Sequence, residues 1–117
     1  TRDTVRIFCD GEDVELQPQQ ILYAEMSARK VCLHLQGGDR ALLYTTATMA
    51  DLADLLENHG FVRTHKSVLV NMEHIRDLQS TRLYLRDGTE LPVSSHTASA
   101  VRKIYTQWRS AKKWVIG

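Results

Sequence analysis

The stretch that decides the fold lies just past the middle of the chain. It reads Phe61-Val62-Arg63-Thr64-His65-Lys66-Ser67-Val68-Leu69-Val70-Asn71. The apolar run of residues 68–70 has the length and the β-branched composition of a buried strand. Directly before it, Arg63, His65 and Lys66 are crowded onto a short connection. The sequence therefore predicts a basic loop held in place by a core strand.

Short strand-like runs extend outward from this stretch in both directions. Val5, Ile7 and Cys9 alternate with polar residues at the period of a pleated strand. Turn signals separate the runs, the strongest being Asp10-Gly11, residues 37–39 and Asp87-Gly88. Pro92 favours an edge strand. The predicted strands are residues 4–9, 14–16, 21–25, 31–35, 41–44, 68–70, 75–78, 83–85 and 91–93.

Two segments have the period of a helix instead. The first follows Thr48, a good N-cap, and ends at Gly60, which suits a left-handed C-terminal position. Its predicted apolar face is Met49, Leu52, Leu55 and Leu56. The second ends the chain, with Ser94 and Ser95 as candidate caps and Ala98, Val101, Ile104, Tyr105 and Trp108 as its apolar stripe. We predict a mainly β fold with an internal helix and a C-terminal helix, and one domain over residues 1–117.

Composition restricts the class of protein. The chain has 117 residues, of which 25% are charged and 43% hydrophobic, which excludes a disordered or low-complexity chain. The formal net charge of +1 results from opposite charges on the two halves of the chain, which nearly cancel. Residues 1–60 carry 10 acids and 5 bases (−5), and residues 61–117 carry 4 acids and 10 bases (+6). This asymmetry indicates an anionic partner for the second half.

The cysteines and the ends of the chain bear on its location. Cys9 and Cys32 have no metal-type spacing, and we expect two small buried side chains in a reduced, cytoplasmic protein. A disulfide between them is an open alternative if their strands are neighbours. A redox role for the two cysteines is also an open alternative. The sequence shows neither a signal peptide nor an apolar run of the ~18 residues that span a membrane, so we expect no membrane contact from this segment. Because the chain begins with Thr1, we expect a fragment of a longer protein.

Three polar connections could carry a function. They are the loop before Val68, the pair Arg29-Lys30 at a predicted hairpin tip, and Ser95-His96 at the start of the last helix. Arginine and lysine suit phosphate or the O6 and N7 atoms of guanine, and a helix N-terminus suits phosphate. Plain solvation and N-capping are the alternative interpretations. Enzyme motifs and metal-ligand spacings are absent from the sequence, so we predict no enzyme, no cofactor and no metal.

The central motif resembles the signature of the LytTR family of bacterial DNA-binding domains. It has the form Phe61-x-Arg63-x-His65-Lys66-Ser67-x-Leu69-Val70-Asn71-x-x-x-Ile75. The early strand Ile21-Leu22-Tyr23-Ala24-Glu25, the helix at residues 48–56 and the late Leu91-Pro92-Val93-Ser94 also resemble that family. The resemblance covers roughly residues 4 to 106.

The resemblance implies a fold and a way of reading DNA. It implies an elongated arrangement of small antiparallel sheets, as the output domain of a response regulator. Such domains follow a receiver domain, which would be missing from this segment together with any other N-terminal sensor domain. They read double-stranded DNA through loops in successive major grooves, usually at paired direct repeats, and they bend the duplex. A dimer on DNA is a further expectation.

The family's DNA contacts carry over to individual residues. Residues 27–30 correspond to the first base-contacting loop, where either Arg29 or Lys30 would read DNA. Lys66 matches a DNA contact, and His96 matches the last contacting loop. His65 is expected to organise its loop, with direct contact as second choice.

The phosphate contacts carry over in the same way. Arg63, Ser67 and Ser95 would fix the register on the DNA backbone. Ser95 departs from the family, in which many members carry arginine there, and this puts the preferred base at that position in doubt.

Two rival functions remain open from the sequence. A protein-interaction or regulatory β domain would use the acidic residues of the first half, Asp10, Glu12, Asp13 and Glu15. A metal-dependent hydrolase is a more distant alternative.

Overall fold

A computed structural model describes residues 4–37 and 42–115, with side chains as far as residue 111. The described residues form ten strands and two α-helices, joined by short turns. The helices are α1 (Met49–Leu56) and α2 (Ala98–Val115). The strands are β1 (Val5–Cys9), β2 (Glu12–Leu16), β3 (Ile21–Ser27), β4 (Lys30–Leu35), β5 (Leu42–Thr45), β6 (Phe61–His65), β7 (Val68–Asn71), β8 (Ile75–Leu78), β9 (Arg82–Leu85) and β10 (Glu90–Pro92).

The strands form two antiparallel sheets of unequal size. The larger has seven strands in the order β2-β1-β5-β4-β3-β7-β6, and the smaller has three in the order β10-β9-β8. Pro92 lies in β10, at an edge as predicted. The principal extents are 38 × 35 × 26 Å. The prediction of a mainly β fold with antiparallel sheets, an internal helix and a C-terminal helix is confirmed.

Strand β7 lies between two hydrophobic cores, and all four of its residues are buried. Leu69 faces the first core, which α1 and the β1–β2 hairpin cover. Val68 and Val70 face the second core, under the three-stranded sheet and α2. A strand that is covered on both faces needs apolar residues at every position. This explains why its sequence is a continuous apolar run without alternation.

Asn71 closes β7 with a buried polar side chain. Its Nδ2 group donates to the carbonyl oxygens of Ile21 at 3.0 Å and Pro18 at 3.3 Å. Its Oδ1 atom accepts the N–H of Glu73 at 3.0 Å. The side chain therefore ties the end of β7 to the beginning of β3.

The start of α1 forms as its sequence predicts, but its buried face is narrower. The Thr48 hydroxyl accepts the N–H of Asp51 at 3.0 Å, as an N-cap should. Met49, Leu52 and Leu56 are buried. Leu55, predicted on the same face, is 40% exposed, so that part of the prediction was wrong.

Helix α2 begins later than predicted. Ser94 and Ser95 were the expected caps, but the first helical residue is Ala98, and the carbonyl of Thr97 accepts the first intrahelical bond, from Val101, at 2.8 Å. Of the predicted stripe, Val101 is fully buried, whereas Ile104 is 42% exposed. The partly buried members are Ala98, Tyr105 and Trp108.

The outcome at other predicted turns is mixed. The Asp10-Gly11 and Asp87-Gly88 turns form, with Gly11 and Gly88 at φ +87° and +94°. The predicted turn at residues 37–39 reaches past Gly37 into Gly38 and Asp39, which lie outside the described residues. Strands β4 and β5 on either side of it pair antiparallel, as a hairpin requires.

The two cysteines are buried and free, and their positions exclude a disulfide between them. Cys9 faces the first core with its β1 neighbours. Cys32 alternates with Val31 and Leu33, which face that core, so its side chain points to the opposite face of the sheet. Burial raises the pKa of Cys9 from 9.0 to about 11 and also raises the pKa of Cys32. Since the thiolate is the reactive form, both thiols are unreactive at neutral pH.

Stability should fall at alkaline pH because of the buried thiol of Cys9. Below about pH 9 the thiol is protonated in both states. Between about pH 9 and pH 11 the unfolded chain loses the proton that the folded chain keeps, so the free energy of unfolding decreases by up to ~1.4 kcal/mol per pH unit for this group. Urea denaturation at pH 8 to 11 should show a shallower decrease for Cys9→Ala than for the wild type. Equal slopes would contradict the burial of this thiol.

Gly60 is predicted to resist substitution for two separable reasons. It lies at φ +85°, where a side chain is strained, and an added Cβ would lie 2.9 Å from Nε1 of Trp108. Gly11 has nearly the same φ, +87°, with nothing within 4 Å of the added Cβ, so it is a matched control.

Gly11→Ala should therefore cost about 1 kcal/mol of unfolding free energy, and Gly60→Ala should cost clearly more. Chemical denaturation of both variants measures the difference. If the two costs are equal, the close approach of Trp108 contributes nothing.

Candidate nucleic-acid interface

Three loops meet at one end of the molecule. Loop A (residues 27–30) joins β3 to β4, loop B (residues 65–67) joins β6 to β7, and loop C (residues 94–97) joins β10 to α2. Antiparallel pairing of Glu25 with Val68 brings the end of β3 beside the beginning of β7. Past that pair, the N–H of Met26 donates to the carbonyl of Ser67 at 2.9 Å. Loops A and B are therefore neighbours.

Thr64 joins loop C to the strand that leads into loop B. Its carbonyl oxygen accepts the N–H of Ser94 at 2.8 Å and the hydroxyl of Thr97 at 3.0 Å. Its own hydroxyl donates to the carbonyl of Pro92 at 2.9 Å. The three loops thus form one surface, although they come from two sheets.

Loop A is a tight turn with a left-handed backbone. Ala28 and Arg29 have φ values of +49° and +70°. Consecutive left-handed residues are typical of two-residue hairpins, where asparagine and glycine are preferred. Arg29 and Lys30 are exposed, and within the described residues their charged groups form neither hydrogen bonds nor ion pairs. Both cations are available to a partner.

Loop B is braced by its own side chains. The guanidinium of Arg63 donates to the carbonyl of Lys66 at 2.7 Å. The Nδ1 atom of His65 accepts the N–H of Ser67 at 3.2 Å and lies 2.9 Å from the hydroxyl of the same residue. Because a backbone N–H can only donate, Nδ1 carries the lone pair, and the proton of the neutral ring is on Nε2. These contacts are of the kind expected of a loop organiser, and the Lys66 side chain is exposed.

Loop C is a compact turn in front of α2. The Ser94 hydroxyl accepts the N–H of His96 at 3.2 Å, and the Ser94 carbonyl accepts the N–H of Thr97 at 3.0 Å. This turn leaves the side chains of Ser95 and His96 exposed. Because both residues come just before Ala98, where α2 begins, they lie at the positive end of the α2 dipole.

Behind loop A lies a polar cluster on β3 and β4. Nε2 of His34 is 2.9 Å from Oε1 of Glu25, and the His34 ring stacks on Tyr23 with a centroid distance of 4.1 Å. Burial, with a smaller contribution from Glu25, raises the pKa of Tyr23 to about 12, so the phenol stays neutral. The Glu25 carboxylate is thus bound to the sheet two residues before the start of loop A.

The structure gathers all eight predicted contact residues in or against these loops. Arg29 and Lys30 belong to loop A; His65, Lys66 and Ser67 form loop B, which Arg63 braces; Ser95 and His96 belong to loop C. Sequence reasoning missed Thr64 and the Glu25–His34 pair. Tyr23 and His34 are register partners in the β3–β4 hairpin, and correct alignment of that hairpin would have been the signal for the cluster.

Charge elsewhere on the molecule differs from that of the loops. The β2 strand presents Glu12, Asp13 and Glu15 to solvent, and Glu15 lies 3.8 Å from Arg6. Within the described part of the chain, we find no cluster of three metal-ligating side chains. Neither described helix is both long and apolar enough to cross a membrane.

Comparison with known proteins gives related results at three levels. The family model of the LytTr DNA-binding domain matches residues 11–106. The Sensory transduction protein LytT of Bacillus subtilis (strain 168) is 31% identical over 67 residues, which are 52% of this chain and 28% of that protein. The chain therefore matches little more than a quarter of the length of that relative.

A solved structure shares the fold. It is the LytTr DNA-binding domain of a protein described as a methyl-accepting/DNA response regulator from Bacillus cereus, with a TM-score of 0.74 and 23% identity. The superposition covers 89% of this chain and 97% of that one. With the family model matching residues 11–106 of 117, the resemblance seen in the sequence is confirmed, and the chain belongs to the LytTR family of DNA-binding domains.

Proposed function

We propose that this domain recognises a specific sequence in double-stranded DNA through loops A, B and C and thereby regulates bacterial transcription. The observation that supports this most is the placement of the loops: backbone and side-chain hydrogen bonds hold all three at one end. Their cations are exposed there, which suits a polyanion. A surface whose backbone is already fixed loses little conformational entropy when it binds.

In this proposal, exposed side chains of the three loops contact the edges of the bases. Arg29, Lys30 and Lys66 are long donors able to reach the O6 and N7 acceptors of guanine in a major groove. His96 contributes an imidazole from loop C. Because these four come from separate loops, each would address its own part of the DNA site.

Phosphate contacts would fix the register on the duplex. Arg63 uses one Nη2 bond to brace loop B, and its other N–H groups can donate to a phosphate. The Ser67 hydroxyl lies against a lone pair of His65, so its proton is already engaged. The Nε2–H group of His65 is therefore a better phosphate donor than Ser67, while the exposed Ser95 hydroxyl, which bonds to none of the described residues, can also donate to phosphate.

The complex would differ from that of a helix-based reader. Three loops on one surface fit successive major grooves when the duplex bends toward the protein. Bending costs on the order of 1–6 kcal/mol, which the additional contacts must offset. Paired direct repeats, each bound by one copy of the domain, complete the proposal.

The role of the whole protein follows from its relatives. We propose that this single domain is the cytoplasmic, non-enzymatic output domain of a response regulator, with a receiver or sensor domain N-terminal to it. The name of the B. subtilis relative, a sensory transduction protein, supports this, as does the short share of that relative that the chain matches.

Replacing Lys66 by alanine should weaken specific binding by about 1–3 kcal/mol, because its exposed ammonium group extends from the braced loop B. Lys103 is the matched control: it is also an exposed lysine, but it lies on α2, outside the three loops. Lys103→Ala changes the net charge equally and should cost much less. Gel-shift titration of both variants on a selected site makes the comparison, and equal losses would contradict a reading role for loop B.

Binding should weaken steeply as salt rises, because the contacts to phosphate release counterions. If the loops contact Z phosphates, the logarithm of the binding constant should fall with the logarithm of salt at a slope of about −0.9Z. Fluorescence anisotropy titrations at salt concentrations from about 50 to about 300 mM measure this slope. The slope gives Z. A flat response would instead favour an apolar protein interface.

A further inference from the structure

Thr64 is a polar residue with no exposed surface, one position before loop B. Its three hydrogen bonds, described above, all reach the segment from Pro92 to Thr97. The hydroxyl bond crosses between sheets, because Thr64 belongs to β6 of the larger sheet and Pro92 to β10 of the smaller. The bond therefore lies between two elements that carry different loops.

This position matters because loops B and C have no shared strand. Loop B is fixed by β6 and β7, whereas loop C leaves the edge strand β10 and enters α2. A side chain that reads a base edge must be held to within about 0.5 Å. Without the bonds from Thr64 to Pro92, Ser94 and Thr97, the distance from Lys66 to His96 would depend on apolar packing, which is less directional than hydrogen bonding.

We propose that Thr64 is a positioning residue for base recognition: its hydroxyl bond to Pro92 and its carbonyl bonds to loop C together set the spacing between loops B and C and so determine which base pairs are read together. The inference rests on the proposed function and deepens it. Thr64 touches no DNA in this scheme, and it acts through Pro92 and loop C.

Thr64→Val separates the hydroxyl from the shape of the side chain. Valine keeps the volume in β6 and leaves the Thr64 carbonyl bonds in place, but the Pro92 carbonyl loses its donor. Thr64→Ser retains the hydroxyl and serves as the rescue variant. Thr45→Val is the matched control, because the Thr45 hydroxyl is also buried, donates to the carbonyl of Phe8 at 2.7 Å and lies on β5, which is separated from β6 by three strands.

The experiment is selection of bound sequences from a random duplex library, carried out with the wild type and each variant. His96→Ala is included to identify the end of the selected motif that loop C reads. Thr64→Val should lose base preference at that end by about three- to tenfold and keep the preference at the other end. Thr64→Ser should restore the full motif, and Thr45→Val should retain the preference at the loop C end.

Thr97→Ala provides a second route if Thr64→Val does not fold. It removes the Thr97 hydroxyl that bonds to the Thr64 carbonyl, from a site that is only half buried. The same one-sided loss of preference is expected.

Two outcomes would overturn the inference while leaving the proposed function standing. One is an unchanged motif in the Thr64 and Thr97 variants, and the other is a uniform loss of preference along the whole motif. If the wild type itself selects no motif, the proposed function fails, and this inference fails with it.

Discussion

The arrangement of loops A and B depends on the antiparallel pairing of β3 with β7. Tyr23 pairs with Val70 and Glu25 with Val68, and this register brings the tips of two hairpins to the same level. A slip of one residue would displace loop B by about 3.3 Å and turn every β7 side chain to the opposite face. Such a slip would still put apolar side chains on both faces of β7, but it would mismatch the close packing of both cores and separate Asn71 from the carbonyls of Pro18 and Ile21. Packing therefore fixes the register, and the register fixes the loops.

Polar bonds secure this pairing at both of its ends. At one end, Asn71 donates to the carbonyls of Pro18 and Ile21, at the beginning of β3. At the other end, the N–H of Met26 donates to the carbonyl of Ser67. All three bonds have main-chain carbonyl acceptors, so their acceptors do not depend on side-chain rotamers. The hydrophobic cores and the loops that we propose contact DNA are thus joined along two strands.

Local features were the ones that sequence could predict. The Thr48 cap, the Asp10-Gly11 and Asp87-Gly88 turns and the apolar run of β7 each depend on a few neighbouring residues. The exposure of Leu55 and Ile104 depends on which element covers each helix face, and helical period alone does not contain that information. The residue pattern had no means of placing the three loops at one end, and the family resemblance implied only that these loops read DNA.

The residues that sequence reasoning missed also depend on contacts between distant parts of the chain. Thr64 is an unremarkable polar residue in a strand until β10 is brought against it, because its partners are 28 to 33 positions away along the chain. Glu25 and His34 meet only when the β3–β4 hairpin is correctly aligned. Pairs of this kind follow from tertiary register, which periodicity and composition do not specify.

Arg29 occupies a left-handed backbone position that favours asparagine or glycine, and this has a consequence for how the protein can change. An asparagine or glycine there would relieve strain and stabilise the turn, yet it would remove a cation from loop A. Selection for thermal stability and selection for affinity therefore oppose each other at this one position. We expect laboratory selection for thermal stability to replace Arg29 early. Retention of the arginine would measure how much the turn contributes to DNA recognition.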